Sequence, residues 1–385
     1  MTTTQKVMLV AGESSGDTHA AKLVRAMREL SVDVDLEFFG SAGPEMRKAG
    51  VDAVVESDGL SIVGLAEIGR ALPMFLKAYR TLSEAAAARK PDVVVLVDFP
   101  EFNLKFARAI KRRGVKVVYY ISPQLWAWRK YRLGSVKKNV DLLLTILPFE
   151  KQWYQKNGFE KVEYVGSPLA REVHITHEKG VFCKENGLDP ERPIIALLPG
   201  SREKEIARIW PVMSAAVPEI KRRMPDVQFV VALNSERARL MIESSMGAIS
   251  KHARPKLLLD QTYDALNAAD AAAVASGTAT LETGILGTPL VVVYKTSWIN
   301  YSLFEPMIDV PHYGLVNLIA GKRVAKELIQ TEFTAATLSD ELIRLLDPGV
   351  NSTMRAELKT AADSLGHGGA SKRAAEAILR LMKMQ

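Results

Sequence analysis

The apolar run PDVVVLV ends on the carboxylate of Asp98, at the head of the stretch DFPEFN (98–103). An Asp directly after a buried-looking strand can cap the next helix, bind a cation or take a proton, and Pro100 suits a first helical turn just beyond it. Three other turns carry comparable side chains. In GESSGDTHA, Gly12 and Gly16 bracket Glu13, Ser14 and Ser15, with Asp17 just beyond, and the stretch lacks both the GxGxxG dinucleotide pattern and the Lys-Ser/Thr ending of a P-loop. Its plain reading is a strand-to-helix turn capped by Ser15 or Asp17; its functional reading is a loop that turns Glu13 and Ser15 toward a ligand. PGSREKEI presents Gly200, Ser201 and Arg202, a set of N–H groups and a guanidinium suited to phosphate, or else a surface arginine on a tight turn. SGTATLETG sets Ser276, Gly277, Thr278, Ala279 and Thr280 at a helix start, where small residues let a diphosphate approach the positive end of the helix. Glu282 in its early turns is placed to accept from ribose hydroxyls or simply to favour the helix dipole.

Two longer segments bear on substrate. SPQLWAWRKYRLGSVKK mixes Trp126 and Trp128 with Arg129, Lys130 and Arg132, which together could hold a sugar face and a phosphate; the alternative is a solvated basic helix with Trp in the core. Residues 59–82 place Leu65, Ile68, Leu72, Phe75 and Leu76 among few charges, as a membrane or acyl-chain surface or as ordinary core. The single cysteine, Cys183, permits no internal disulfide and no Cys-based metal cluster within one chain. No convincing aspartate pair for a metal is present, and the expectation is no metal and no cofactor.

These turns need rigid elements behind them. Short β-branched runs (KVMLVA, LEFFG, VVVLVD, VKVVYYIS, VDLLLTIL) alternate with amphipathic stretches, which predicts βαβ units and a buried parallel sheet. The Pro-, Gly- and His-containing segment 167–192 breaks that rhythm and reads as a connection between domains. IIALLPG, VQFVVAL, KLLLD, AAAVAS and PLVVVY then start a second series. The predicted architecture is α/β: one Rossmann-like domain over 1–166, a second over 193–345, facing across a cleft, and a helical tail over 346–385 that packs back on the first domain or on a partner chain. In open α/β sheets ligands sit at the carboxyl ends of strands, where all four turns fall.

A chain of 385 residues suggests two domains at about 150 residues each. Lys plus Arg exceed Asp plus Glu by +7, and the pI near 9.2 suits an anionic partner: nucleic acid, anionic lipid or a phosphorylated metabolite. No aromatic RNA-binding signature, zinc finger or long basic tract appears, so nucleic acid ranks below the other two and is not expected. The start reads as a mature cytoplasmic one, and no stretch approaches the ~18 uninterrupted apolar residues of a spanning helix.

Taken in order, AGESSGD, DFPEFN, YYISPQLWAWR, VGSPL, LLPGSREKEI, SGTATLE, TPLVVVYK and LVNLIAG resemble the motifs of the lipid-A-disaccharide synthases, from residue 11 to about 321. The resemblance implies an inverting glycosyltransferase of the B-type (GT-B) fold that needs no metal. Its substrates would be UDP-2,3-diacylglucosamine and 2,3-diacylglucosamine 1-phosphate, joined in a β(1→6) disaccharide 1-phosphate with release of UDP. It also implies a peripheral protein at the inner face of the cytoplasmic membrane and permits a homodimer. Asp98 would be the base. Glu13, Ser15, Gly16 and Asp17, with Arg129 and Arg132, would shape the acceptor side in the N-terminal domain. Gly200 to Arg202, Ser276 to Thr280, Glu282, Asn317 and Gln330 would hold UDP. Competing readings are a UDP-sugar 2-epimerase, another transferase of the same fold, and a non-catalytic nucleotide or lipid carrier, since fold alone does not separate them.

Overall fold

The computed structural model describes residues 4–32, 34–59, 68–250, 253–298, 310–366 and 368–383. The chain divides into two compact units, Met1–Pro168 with Gly368–Gln385, and Leu169–His367.

The first unit is built on seven parallel strands: β1 (Gln5–Ala11), β2 (Leu36–Ala42), β3 (Asp52–Glu56), β4 (Val93–Val97), β5 (Lys116–Tyr120), β6 (Leu142–Thr145) and β7 (Val162–Tyr164), in the order β3-β2-β1-β4-β5-β6-β7. Every residue of β4 is buried, because helices cover both sheet faces. Alternation along the strands splits the apolar residues between two cores. Leu9, Val95 and Val97 face Val24, Met27, Ala374 and Ile378, while Met8, Val10, Val94 and Leu96 face Leu82, Phe106 and Ile110. Chain order reverses between β1 and β4, which pair in register Leu9 to Val95, so the turns leaving at Gly12 and Asp98 flank the switch point of the sheet.

The second unit repeats the plan with six parallel strands: β8 (Ile194–Leu198), β9 (Gln228–Leu233), β10 (Lys256–Leu259), β11 (Ala271–Ala275), β12 (Leu290–Tyr294) and β13 (Glu327–Ile329), ordered β10-β9-β8-β11-β12-β13. Its switch point lies between β8 and β11, whose carboxyl ends carry Gly200 and Ser276.

Two stretches divide differently from the sequence expectation. The segment 167–192 contains helices Leu169–Glu172 and Lys179–Glu185, and Phe182 and Cys183 are buried in the core of the second unit. The tail splits as well. Helix Pro348–Asp363 stays with the second unit, where Arg355 donates to the carbonyls of Gly287 (2.9 Å) and Ala269 (3.4 Å). Helix Ala370–Lys383 covers helix Ser14–Leu30 of the first, where Arg373 donates to the Val165 carbonyl (2.8 Å) and Lys116 to that of Leu381 (2.9 Å). Of the apolar 59–82 stretch, Leu65 lies outside the described residues, as does the side chain of Ile68. Leu72 and Leu76 on helix Ile68–Arg89 are 54% and 50% exposed, and Phe75 is half-buried against Phe99.

Candidate active site

Asp98 and Phe99 leave β4 with φ of +46° and +51°, left-handed values that cost non-glycine residues about 1–3 kcal/mol each. The surroundings impose them. Asn103 donates from Nδ2 to the carbonyls of Asp98 (2.8 Å) and Val97 (3.2 Å), and the Tyr119 hydroxyl donates to the Asp98 carbonyl (2.7 Å). The Asp98 N–H donates in turn to the Tyr120 carbonyl (3.1 Å). The Phe99 ring lies on Gly12, where a Cβ would come within 2.3 Å of it, so only glycine admits this approach. With its main chain committed, Asp98 has its carboxylate left for chemistry. Helix Pro100–Lys111 takes Phe99 as its N-cap, whose side chain makes no capping bond, and the Asp98 carboxylate accepts the Phe99 N–H just before it. Burial pushes the Asp98 carboxyl up to about 6, the charge of Glu13 adds to this, and the Phe99 N–H opposes it. A carboxyl with that pKa at the switch point is suited to take a proton near neutral pH.

Glu13 is exposed at the N-cap of helix Ser14–Leu30, and in the first turn of that helix Ser15 is exposed and Gly16 buried. Asp17 is elsewhere. It is 2% exposed, and its carboxylate accepts the N–H groups of Gly43 (2.9 Å), Glu45 (2.8 Å) and Met46 (3.1 Å) at the start of helix Pro44–Lys48. Arg129 and Arg132 come together on a residue the sequence reading passed over, Glu101, with Arg132 at 2.7 Å. The signal was within reach, since Glu101 stands inside DFPEFN and opposes RKYR in charge. The Arg129 guanidinium lies 4.1 Å over the exposed Trp128 ring. Trp126 points inward, donating from Nε1 to Glu150 (3.0 Å). Glu150 is buried and also accepts from Ser122 Oγ (2.9 Å) and the Leu147 N–H (3.0 Å); burial pushes its carboxyl up to about 7.

In the second unit the turns after β8 and β11 border a cavity of about 580 Å³. Gly200, Ser201, Arg202, Ser276, Gly277, Thr278, Ala279 and Glu282 all line it. Burial, then the charge of Glu172, raises the Glu282 carboxyl. Thr280 sits behind this wall, buried, with its hydroxyl on the Gly277 carbonyl (2.8 Å), where it shapes the turn. Asn317 and Gln330 do not line the cavity. Asn317 is buried, donating to Ala325 O (2.7 Å) and Glu327 (2.9 Å) and accepting from the Ala325 N–H (2.8 Å), while Gln330 accepts from the Thr296 N–H (2.7 Å). Glu327, the partner of Asn317, also holds the N–H groups of Tyr313 (3.0 Å) and Gly314 (2.8 Å), and the Tyr313 carbonyl accepts from Ser276 Oγ (2.8 Å).

The remaining wall includes His174, Thr176, Asp260, Gln261, Tyr263 and Asp264. Asp264 fastens the first part of it by accepting the N–H groups of Thr176 (2.7 Å) and His177 (3.1 Å). The rule that ligands meet strand ends applied equally to KLLLD, so Asp260 was open to the same reasoning. Among the described residues no cluster of His, Cys, Asp or Glu is placed to hold a metal ion, and no helix is long and apolar enough to cross a membrane.

The family described as lipid-A-disaccharide synthetase matches residues 7–380. The chain belongs to that family. It is 38% identical over 384 residues to the lipid-A-disaccharide synthase of Geobacter sulfurreducens, covering 100% of this chain and 99% of the relative. It is 41% identical over 383 residues to that of Myxococcus xanthus, covering 99% of each. Among solved structures, a UDP-GlcNAc 2-epimerase from Neisseria meningitidis bound to UDP-GlcNAc aligns with a TM-score of 0.63 at 14% identity, over 98% of this chain and 100% of that one. A calicheamicin glycosyltransferase aligns with a TM-score of 0.62 at 14% identity, over 100% and 99%. The family is one of glycosyltransferases, and the two parallel-sheet units share their fold with B-type enzymes. The epimerase shares fold alone, whereas the relatives near 40% identity carry the synthase name.

Proposed function

We propose that the chain transfers 2,3-diacylglucosamine from its UDP donor to the 6-hydroxyl of 2,3-diacylglucosamine 1-phosphate, with Asp98 as base and the cavity of the second unit as the UDP site. The observation that carries the reading is the Asp98 carboxyl, held by a fully bonded main chain at a switch point and pushed up to about 6. As the acceptor oxygen attacks C1 of the donor sugar, its proton passes to Asp98 and the C1–O bond to the diphosphate breaks with inversion. The departing electron pair settles on the diphosphate, where the N-terminus of helix Thr278–Ile285 and the Arg202 guanidinium stabilise the charge. Glu282 holds ribose hydroxyls, and Arg129 and Arg132 attract the acceptor phosphate. Asn317 and Gln330 contribute by fixing the loops behind the donor site.

Acylated substrates call for an apolar surface. Leu72 and Leu76, half exposed on helix Ile68–Arg89, are the part of that surface within reach, with the net charge of +7 favouring an anionic bilayer at the cytoplasmic side. The test is incubation of the enzyme with both acylated sugars and mass analysis of the product. A mass equal to donor plus acceptor minus UDP supports the transfer. Conversion of the donor without any acceptor would instead make the chain an epimerase.

A further inference from the structure

The turn Gly200 to Arg202 already holds an anion of its own. Glu205, in the first turn of the 21-residue helix Glu203–Arg223, folds back so that its carboxylate accepts the Ser201 N–H (3.2 Å). The N–H groups of both Ser201 and Arg202 favour its charged form, and burial works against that form and raises the carboxyl above its ordinary range. The fit is close. Gly200 has φ of +108°, and a Cβ there would stand 2.2 Å from Glu205 Oε2, so the carboxylate lies directly on the glycine backbone. Glu205 also lines the cavity beside Ser276, Gly277 and Thr278.

A turn of N–H groups at the start of a long helix is a place for a phosphate, and here a carboxylate of the same chain occupies it. We propose that Glu205 is an internal anion that holds this turn in the empty pocket and is displaced when the diphosphate of the donor enters. The inference rests on the cavity being the UDP site. Two anions on the same N–H groups repel, so the affinity for UDP is set by a competition and not by the pocket alone. Uridine carries no phosphate and does not enter that competition. After transfer, the carboxylate reclaims the turn and favours departure of UDP, which gives the enzyme a built-in aid to turnover.

Calorimetric titration of full-length wild type, Glu205→Gln and Glu205→Ala with UDP, inorganic pyrophosphate and uridine tests this. Both variants are expected to bind UDP and pyrophosphate about tenfold tighter than wild type, with uridine unchanged. Unchanged or weaker UDP binding in a variant that still takes up uridine normally overturns the proposal. Loss of uridine binding in both variants makes Glu205 a structural prop and overturns it equally. A wild-type protein that fails to bind UDP removes the donor-site reading itself, a result distinct from the other two.

Discussion

Asp98 joins two properties that usually oppose each other, a rigid main chain and a carboxyl that resists ionisation. Its carboxyl moves from an ordinary 3.8 to about 6 in the folded protein, so between those values the folded state binds more protons than the unfolded one. Stability from this group is therefore full below about pH 4 and is lost as pH rises through 6. Asp98→Asn should abolish turnover, leave UDP affinity in place and raise the unfolding free energy at pH 7 by roughly 1–3 kcal/mol, a gain that disappears at pH 4 in urea titrations. Near-normal rates in that variant would remove Asp98 from the base role. The acid limb of kcat/KM should have its midpoint near 6, and Glu13→Gln should move it to lower pH because the charge of Glu13 is one cause of the shift. An unmoved limb would separate the two residues. The strand-end carboxylate was legible from sequence because an apolar run announces a buried strand and the next polar residue must emerge. The left-handed turn that aims it was not, since besides Asn103 of the same stretch it depends on Tyr119 and Gly12 arriving from two other segments.

Among the elements, the strands that escaped the sequence reading are β3, β7 and β13, and each is an edge strand. They carry DAVVE, VEY and ELI, short runs whose charged residues leave no continuous apolar signal. On β3 the charges meet water, as edge strands require, whereas Glu327 of β13 is buried on the N–H groups of Tyr313 and Gly314. The central strands, buried on both faces, were readable for the opposite reason. Asp17 shows how a loop motif can be local in sequence and remote in role. It stands beside Glu13 and Ser15 yet fastens a helix start some distance along the chain, a partnership no periodicity reveals. Asp17→Ala should cost about 1–3 kcal/mol in urea denaturation by stripping three N–H groups of their acceptor. It should lower activity in proportion to the folded fraction; a large loss of kcat at full stability would return Asp17 to the acceptor side. The turns around the cavity of the second unit were legible because glycine and hydroxyl residues after a strand have few other uses. Asn317 and Gln330 do not border the cavity, and sequence does not tell this apart, because polar residues beside a motif look the same whether they face a pocket or bond to neighbouring backbone.

At the scale of the whole molecule, the apolar stretch over 59–82 has two halves in its helix: Ala78 and Leu82 are buried, while Leu72 and Leu76 remain in water. Under the proposed function, lipid covers these two exposed leucines of a cationic protein. Replacing Leu72 and Leu76 with Ser should weaken binding to anionic vesicles severalfold and leave UDP binding unchanged, as measured by sedimentation; unaltered partitioning would exclude this patch as the anchor. Composition foretold the two-sheet plan but not where the units divide, because helix-forming patterns do not state which sheet they will cover. The last helix, Ala370–Lys383, illustrates this, and it also constrains how the protein is made. Residues 169–367 emerge from the ribosome and can fold while helix Ser14–Leu30 still lacks its cover of Ala374, Ala375 and Ile378. The unit that begins first is thus finished last, and during translation its uncovered apolar groove is the surface a chaperone would meet.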